Sequence, residues 1–478
     1  VEKLDVDRIK VSFNNLNAEK IKAERLYDLS LSVLKFQIGF PVNEKLSVKG
    51  SIEDVILSGV APDGGLYLPD SVTLENLTYL TQEDLSYEDF VKTIFIALDK
   101  SSAKYVEDLS IYSGFENSPE PVLKDLNDST VVMELFHGPT KSFKDYALQP
   151  LGAIANRRLD ELGERGLVIV ATSGDTGSAA IQAVKNSDNI DIVVLHPADK
   201  VSEYQRKQMT SVIQDNVLNI AVEGSYDDCQ RIAKDLLSEN PFNRRIISLN
   251  SINWLRVMGQ VSYYVWLTKQ FTSPINVAIP SGNFGNAYSA WFGRSNGLPI
   301  NQIFCSTNVN DVLRRFIETG ELAPEETSPS VAPSMDIQIP SSLERLIFDF
   351  TDNASDFYTT LSQEQKAKLN KEEVIELNHV FSSNTFSDDV IKGEIKSLFE
   401  EFDSIFDPHS VTSIRMALDN QDSIPTVAVA TASPEKFSNV IAPIIESSTE
   451  VKIDDKEQYL ILKNDKFSIS DSIKAYFS

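Results

Sequence analysis

The sequence is poor in the residues that anchor metals and disulfides. Its 478 residues include only two cysteines, Cys229 and Cys305, and four histidines, His137, His196, His379 and His409. No Cys-x-x-Cys pair and no His-Glu-x-x-His motif occurs, so neither a disulfide framework nor a protein metal site is expected. Basic residues are scarce too. Forty-four Lys and Arg stand against seventy Asp and Glu, a net charge of −26 that repels nucleic acid and anionic lipid at long range. Also missing is any apolar run of the roughly 18 residues needed to span a bilayer. The opening Val1-Glu2-Lys3-Leu4-Asp5 lacks the basic-then-apolar order of a secretory signal. No nucleic-acid or membrane partner is expected, and two unpaired thiols fit a reducing, cytoplasmic setting.

With 42% hydrophobic and 24% charged residues, the composition is that of a soluble globular protein of two or three compact units. Leu26, Leu29, Val33 and Phe36 predict one amphipathic helix near the N-terminus. Residues 50–69 read as a short helix, the turn Pro62-Asp63-Gly64-Gly65 and a brief strand; residues 73–115 read as helices anchored by Phe90, Ile94, Phe95 and Leu98. Past residue 129, β-branched strands alternate with helical segments, which predicts a parallel sheet wrapped by helices. The expected strands are Val131–Leu135, Gly166–Ala171, Ile190–Leu195, Val217–Val222, Ile246–Leu249, Ile275–Ile279, Gln302–Ser306 and Thr426–Ala430. The expected organisation is an N-terminal segment and subdomain over 1–128, an α/β core over 129–349, a helical insertion over 350–405, and a return to the core with a tail over 406–478.

Five stretches carry chemistry. In the first, the strand Val131 to Leu135 gives way to His137-Gly138-Pro139-Thr140-Lys141-Ser142-Phe143-Lys144-Asp145. Ser142 is expected to cap a helix with Lys144 in its first turn and a kink at Pro150. There the helix dipole and partial burial would both lower the amine pKa and free it to attack an aldehyde. The plain alternative is a surface lysine beside Asp145. The second, Thr172-Ser173-Gly174-Asp175-Thr176-Gly177, opens a helix and suits an anion. The third, Ser281-Gly282-Asn283-Phe284-Gly285-Asn286, could cradle a phosphate monoester but lacks the Gly-Lys-Ser/Thr ending of a nucleotide loop. An ordinary capped strand-to-helix turn would look much like either loop. The fourth places Thr431 at a strand end before Ser433-Pro434. Arg256, following Asn250-Ser251-Ile252-Asn253, could bind a second anion or sit in a helix salt bridge. An imine-forming lysine, a phosphate cradle, an anion loop and a terminal hydroxyl together point to pyridoxal phosphate with an amino-acid substrate.

These motifs, in this order, resemble threonine synthase, as do Ala61-Pro62-Asp63-Gly64-Gly65-Leu66-Tyr67 and Asp407-Pro408-His409; the resemblance spans about residues 50–450. It implies an α/β fold with two parallel-sheet-containing domains of the tryptophan synthase β type behind an N-terminal helical extension. It further implies Lys144 as the cofactor-linked lysine and Gly282, Asn283, Phe284, Gly285 and Asn286 as the phosphate loop. Asp175 would join Lys144 at the cofactor, and Thr431 would meet the pyridine nitrogen. Thr172, Ser173, Thr176, Asn250, Ser251 and Arg256 would receive the substrate. Lys141 stands where the family commonly has an uncharged residue, Asn286 replaces the usual aspartate, and Ser410-Val411-Thr412-Ser413 departs from the usual sequence after the histidine. The implied reaction is O-phospho-L-homoserine plus water to L-threonine plus phosphate, by a monomer or homodimer. The alternatives are a related phospholyase forming 2-oxobutyrate and a non-catalytic amino-acid-binding relative.

Overall fold

The computed structural model describes residues 52–59, 66–68, 85–172, 174–198, 201–351, 353–421, 423–446 and 456–477. Contacts divide the chain into two compact units, residues 1–50 and 51–478. The first unit, with the expected Leu26 to Phe36 helix, lies outside the described residues, as does the expected turn at Pro62 to Gly65. Leu66, Tyr67 and Leu68, expected as a brief strand, have no regular structure.

In chain order the strands are β1 Val122–Asp125, β2 Thr130–Glu134, β3 Gly166–Ala171, β4 Ile190–Pro197, β5 Val217–Glu223, β6 Arg245–Ile247, β7 Ile275–Pro280, β8 Ile300–Thr307, β9 Glu321–Leu322, β10 Ala367–Lys368, β11 Phe381–Thr385, β12 Thr426–Ala430 and β13 Leu460–Lys463. Six form one sheet in the order β1-β2-β12-β7-β8-β11, parallel except for β1. Five form a second, wholly parallel sheet, β13-β5-β4-β3-β6. Strands β4, β7 and β12 are buried along their whole length, as parallel strands covered on both faces must be. Each fully buried Ile, Leu or Val there contributes about 1.5–3 kcal/mol through removal from water.

β3 and β12 match the expected ranges, and the other expected strands differ at their ends by one to a few residues. Two sheet edges escaped the sequence reading. β1 is a short, largely exposed Val-Leu-Lys-Asp strand, and β11, Phe-Ser-Ser-Asn-Thr, lies inside the stretch read as helix-rich. β11 is held by its parallel pairing with β8 and by Phe381, whose ring meets Phe284 and Trp291 at 5.8 and 5.9 Å.

The helix Asp145–Leu162 passes through Pro150. Proline supplies no amide for the Tyr146 carbonyl, and Tyr112 Oη donates to that carbonyl instead at 2.9 Å. Two residues on, Gly152 meets the Asp175–Val184 helix, where a Cβ would lie 2.4 Å from the Ala183 carbonyl oxygen. No helix among the described residues is long and apolar enough to cross a membrane.

The topology decides which loops become neighbours. β2, β12 and β7 are adjacent and parallel, so the loops at Phe136–Lys144, Thr431–Ser433 and Ser281–Phe284 leave the same edge of the sheet. The loops after β3 and β6 likewise leave one edge of the second sheet. Open α/β sheets bind ligands at such carboxyl edges.

Candidate active site

The loop after β2 folds around a buried carboxylate. Thr140 donates to Asp145 through its amide at 2.8 Å and through its hydroxyl at 2.8 Å. Burial pushes the Asp145 carboxyl up to about 6 against these donors. A Cβ at Gly138 would lie 2.5 Å from Asp145 Oδ2, which is why glycine is required there. Lys144 is therefore not a surface lysine beside Asp145: it is largely buried, and the aspartate faces the loop.

The expected start of the helix needs correction. It begins at Asp145, with Lys144 in the N-cap position, and Ser142 Oγ does not cap it but accepts from the Lys144 amide at 3.3 Å. Residues 141–143 are committed elsewhere. Ser142 bridges Ala432, the Phe143 amide donates to the Thr431 carbonyl at 2.8 Å, and the Ser433 amide donates to the Lys141 carbonyl at 3.0 Å. A segment that ladders onto the β12 loop cannot also start a helix. Lys141, with φ 54°, pairs with Glu435, so its added cation is matched by an acid.

Lys144 Nζ lies 3.6 Å from Asp175 Oδ2, which brings the two expected residues together from different sheets. Asp175 is shared. Its Oδ1 accepts from Lys436 Nζ at 2.8 Å and from Gln205 Nε2 at 3.1 Å. Lys436 is completely buried and also donates to the Thr140 carbonyl at 2.9 Å. Burial lowers the Lys144 amine; Asp175 opposes that shift, while Lys436 and Arg256 add to it. The lowered amine expected from the sequence is present, with desolvation as its first cause. Burial alone would raise Asp175, yet Lys436 and Lys144 hold its carboxyl far below the usual range.

The glycine loop after β7 turns on Phe284, a non-glycine residue in left-handed conformation with φ 66°, before the helix Gly285–Ser295. Such backbone costs about 1–3 kcal/mol and is held here by the buried ring. Phe284 provides no side-chain cap, so the first amides of the helix stay available to an anion. Asn286 Oδ1 accepts from the hydroxyls of Tyr263 and Tyr264 at 2.6 and 2.7 Å, which leaves Nδ2 buried without a protein partner. Gly282 is required for a reason the sequence did not show. A Cβ there would meet the Ser334 carbonyl oxygen at 2.6 Å, and the Ser334 amide donates to His409 Nε2, whose Nδ1 faces Asp407 at 2.8 Å.

Arg256 is not the salt-bridged helix arginine that was the alternative. It is buried in the first turn of the helix Trp254–Lys269, reaches only the Leu249 carbonyl at 3.4 Å, and has an unpartnered Nε. No carboxylate among the described residues pairs with it, and burial pulls its guanidinium down to about 10. A buried, uncompensated cation is costly unless an anion joins it. With Asn286 Nδ2, the free helix amides and Arg256, the donors present fit phosphate esters.

The other expected residues divide by what the protein already asks of them. Thr172 Oγ1 accepts from the Gly174 and Gly177 amides at 2.9 and 3.1 Å, so it closes its own loop. Thr176 is half-buried, Asn250 is exposed, and Ser173 lies outside the described residues. Ser251 Oγ meets Ser341 Oγ at 2.7 Å, and Ser341 donates to Asn283 Oδ1 at 3.3 Å, linking the β6 loop to the glycine loop. Thr431 is buried at the end of β12 and donates its amide to Ser410 Oγ at 2.8 Å. Lys436, Gln205 and the Asp407–His409 pair were not picked out as site residues. The Pro434-x-Lys436-Phe437 string was visible, but nothing local shows that its lysine turns inward.

Residues 122–372 match the family of pyridoxal-phosphate dependent enzymes, and residues 44–104 match the threonine synthase N terminus. The chain is 36% identical over 440 residues to a threonine synthase of Pseudomonas aeruginosa, covering 87% of this chain and 93% of that one. A threonine synthase-like 2 protein of Rattus norvegicus is 31% identical over 417 residues, covering 82% and 86% of the two chains. The crystal structure of a pyridoxal-phosphate-bound threonine synthase from Brucella melitensis superposes with a TM-score of 0.83 at 30% identity, covering 89% of this chain and 96% of that one. The buried lysine, the unmatched arginine and the glycine loop thus lie in a chain that belongs to the threonine synthase family of pyridoxal-phosphate-dependent enzymes.

Proposed function

We propose that this chain converts O-phospho-L-homoserine and water to L-threonine and phosphate. The observation that carries this reading is the presence, near one another, of a largely buried Lys144 whose amine is lowered by burial and a buried Arg256 that has no acid partner among the described residues. The site thus offers a reactive amine and an unfilled anion position.

Pyridoxal phosphate, when bound, supplies an aldehyde for Lys144 and a ring that draws electrons from the substrate Cα. Lys144 Nζ would hold the cofactor and would serve as the base that moves protons at Cα and Cβ. Gly282, Asn283, Phe284, Gly285 and Asn286 hold the cofactor phosphate. Asp175 lies beside Lys144 at 3.6 Å, and Thr431 would offer the ring nitrogen a neutral hydroxyl. Arg256, with Ser251 and Asn250, would receive the substrate phosphate, and Thr172 and Thr176 would serve its carboxylate.

The test is a single assay of purified protein with O-phospho-L-homoserine, reading phosphate, threonine and 2-oxobutyrate together. Threonine equal to phosphate supports the reading. 2-Oxobutyrate in place of threonine would make the chain a phospholyase, and no phosphate release would defeat both readings.

A further inference from the structure

One carboxylate, Asp175, serves two buried lysines unequally. Lys436 Nζ lies 2.8 Å from Oδ1, within hydrogen-bond range, whereas Lys144 Nζ lies 3.6 Å from Oδ2, outside it. Gln205 also donates to Oδ1 at 3.1 Å, so the carboxylate is drawn to the Lys436 side. Lys436 cannot leave. It is completely buried, and its second bond, to the Thr140 carbonyl at 2.9 Å, ties it to the loop that ends in Lys144. Gln208 donates to the same carbonyl at 2.9 Å.

We propose that Lys436 is a positioning residue that keeps Lys144 available by occupying Asp175. With Lys436 in place the aspartate stays ionised, but Lys436 and Gln205 draw it through Oδ1 to their side and leave Oδ2 at 3.6 Å from Lys144, which weakens its hold on a Lys144 ammonium. The second ammonium nearby also disfavours a proton on Lys144, in keeping with its place among the causes that lower that amine. Without Lys436, the buried carboxylate would keep Lys144 as its nearest cation, with His409 acting on it less strongly, and would hold the proton on Lys144. This inference rests on Lys144 as the reactive amine of the proposed function, but it concerns the titration of the lysine itself and can be read without turnover.

The experiment uses the full chain, freed of cofactor by dialysis against hydroxylamine. Trace reductive methylation with formaldehyde and cyanoborohydride is followed by peptide mass spectrometry from neutral to alkaline pH. Lys396, 60% exposed, serves as the internal reference. In the wild type, Lys144 should label with a lower pH midpoint than Lys396, while Lys436 stays protected. In Lys436→Met the Lys144 midpoint should rise and its labelling at neutral pH should fall about tenfold, with Lys396 unchanged. In Asp175→Asn the Lys144 midpoint should move down. A merely structural lysine would change the melting temperature but not the midpoint. A folded Lys436→Met protein with an unmoved midpoint overturns the proposal. If that variant does not fold, a wild-type Lys144 midpoint at or above that of Lys396, or an unmoved midpoint in Asp175→Asn, overturns it instead. Loss of the functional reading shows separately, as turnover that survives removal of Lys144.

Discussion

Two groups of cations at opposite ends of the second sheet differ in charge balance rather than in charge. At the amino ends of β3 and β6 a cavity of about 910 Å³ is lined by Arg158, Arg165, Arg244 and Arg245. Each has an acid. Arg165 and Arg244 share Asp191, Arg245 pairs with Glu164, and Arg158 pairs with Glu53 and Glu161. At the carboxyl end, Arg256 has none, and two lysines share one aspartate. That cavity belongs to the balanced end, where the cations hold the fold together. At the unbalanced end Arg256 is left without an acid, a position that an anionic ligand would match.

The comparison can be broken most sharply at Lys144. Lys144→Ala should cut phosphate release from O-phospho-L-homoserine by about 10³-fold or more while circular dichroism stays that of the wild type. Retention of a substantial share of turnover would remove the lysine from the reaction.

Arg256→Met should lower kcat/KM by about 100-fold, the loss of a charge-assisted bond to an anion in a buried setting. Its melting temperature should be unchanged or higher, since an uncompensated buried charge is removed. A variant that loses stability in step with activity would place Arg256 with the structural arginines.

Asp145 gives a pH signature at the same end. Its folded pKa of about 6 lies above the ordinary 3.8, so between those values the folded chain binds more protons than the unfolded one. The stability it contributes therefore falls as pH rises through that window, by up to about 3 kcal/mol. Urea unfolding at pH 4 and pH 7 should show this fall in the wild type, and Asp145→Asn should lack it. Equal slopes in both would place the carboxyl in a more polar setting than the Thr140 loop provides.

Gly152→Ala, placing a Cβ 2.4 Å from the Ala183 oxygen, should cost about 1–3 kcal/mol in the same assay. The smallest effect belongs to the balanced end. Arg245 and Glu164 are 46% and 39% exposed, so Arg245→Met should change stability by less than about 1 kcal/mol and leave turnover unaltered. A clear loss of turnover would mean that the arginine-lined cavity communicates with the site.

How much of this was legible in the sequence can be judged element by element. β3 and β12 were readable to the residue because a continuous apolar run bounded by turn residues admits few alternatives. β11 was not, because a polar Phe-Ser-Ser-Asn-Thr string becomes a strand only through its neighbour β8. The same division runs through the site. Lys144, the glycine loop and Thr431 stand out in the sequence as candidates because each follows a strand and carries its residue types in a local string. Lys436 was invisible as a partner of Asp175, since the two are far apart in the chain and meet only through the tertiary fold.

The sequence by itself determined the alternation of strands and helices, the loops at the strand ends and the residue types on them, because propensity, periodicity and turn chemistry are local. The fold, by contrast, set Lys144 at the N-cap rather than inside the first turn, placed Ser334 against Gly282, and divided Asp175 between two lysines. It alone decided, too, that Arg256 stands unmatched while Arg165, Arg244 and Arg245 do not. These are matters of which charges share a buried space, and desolvation and Coulomb energy depend on distance through the fold rather than on separation along the chain.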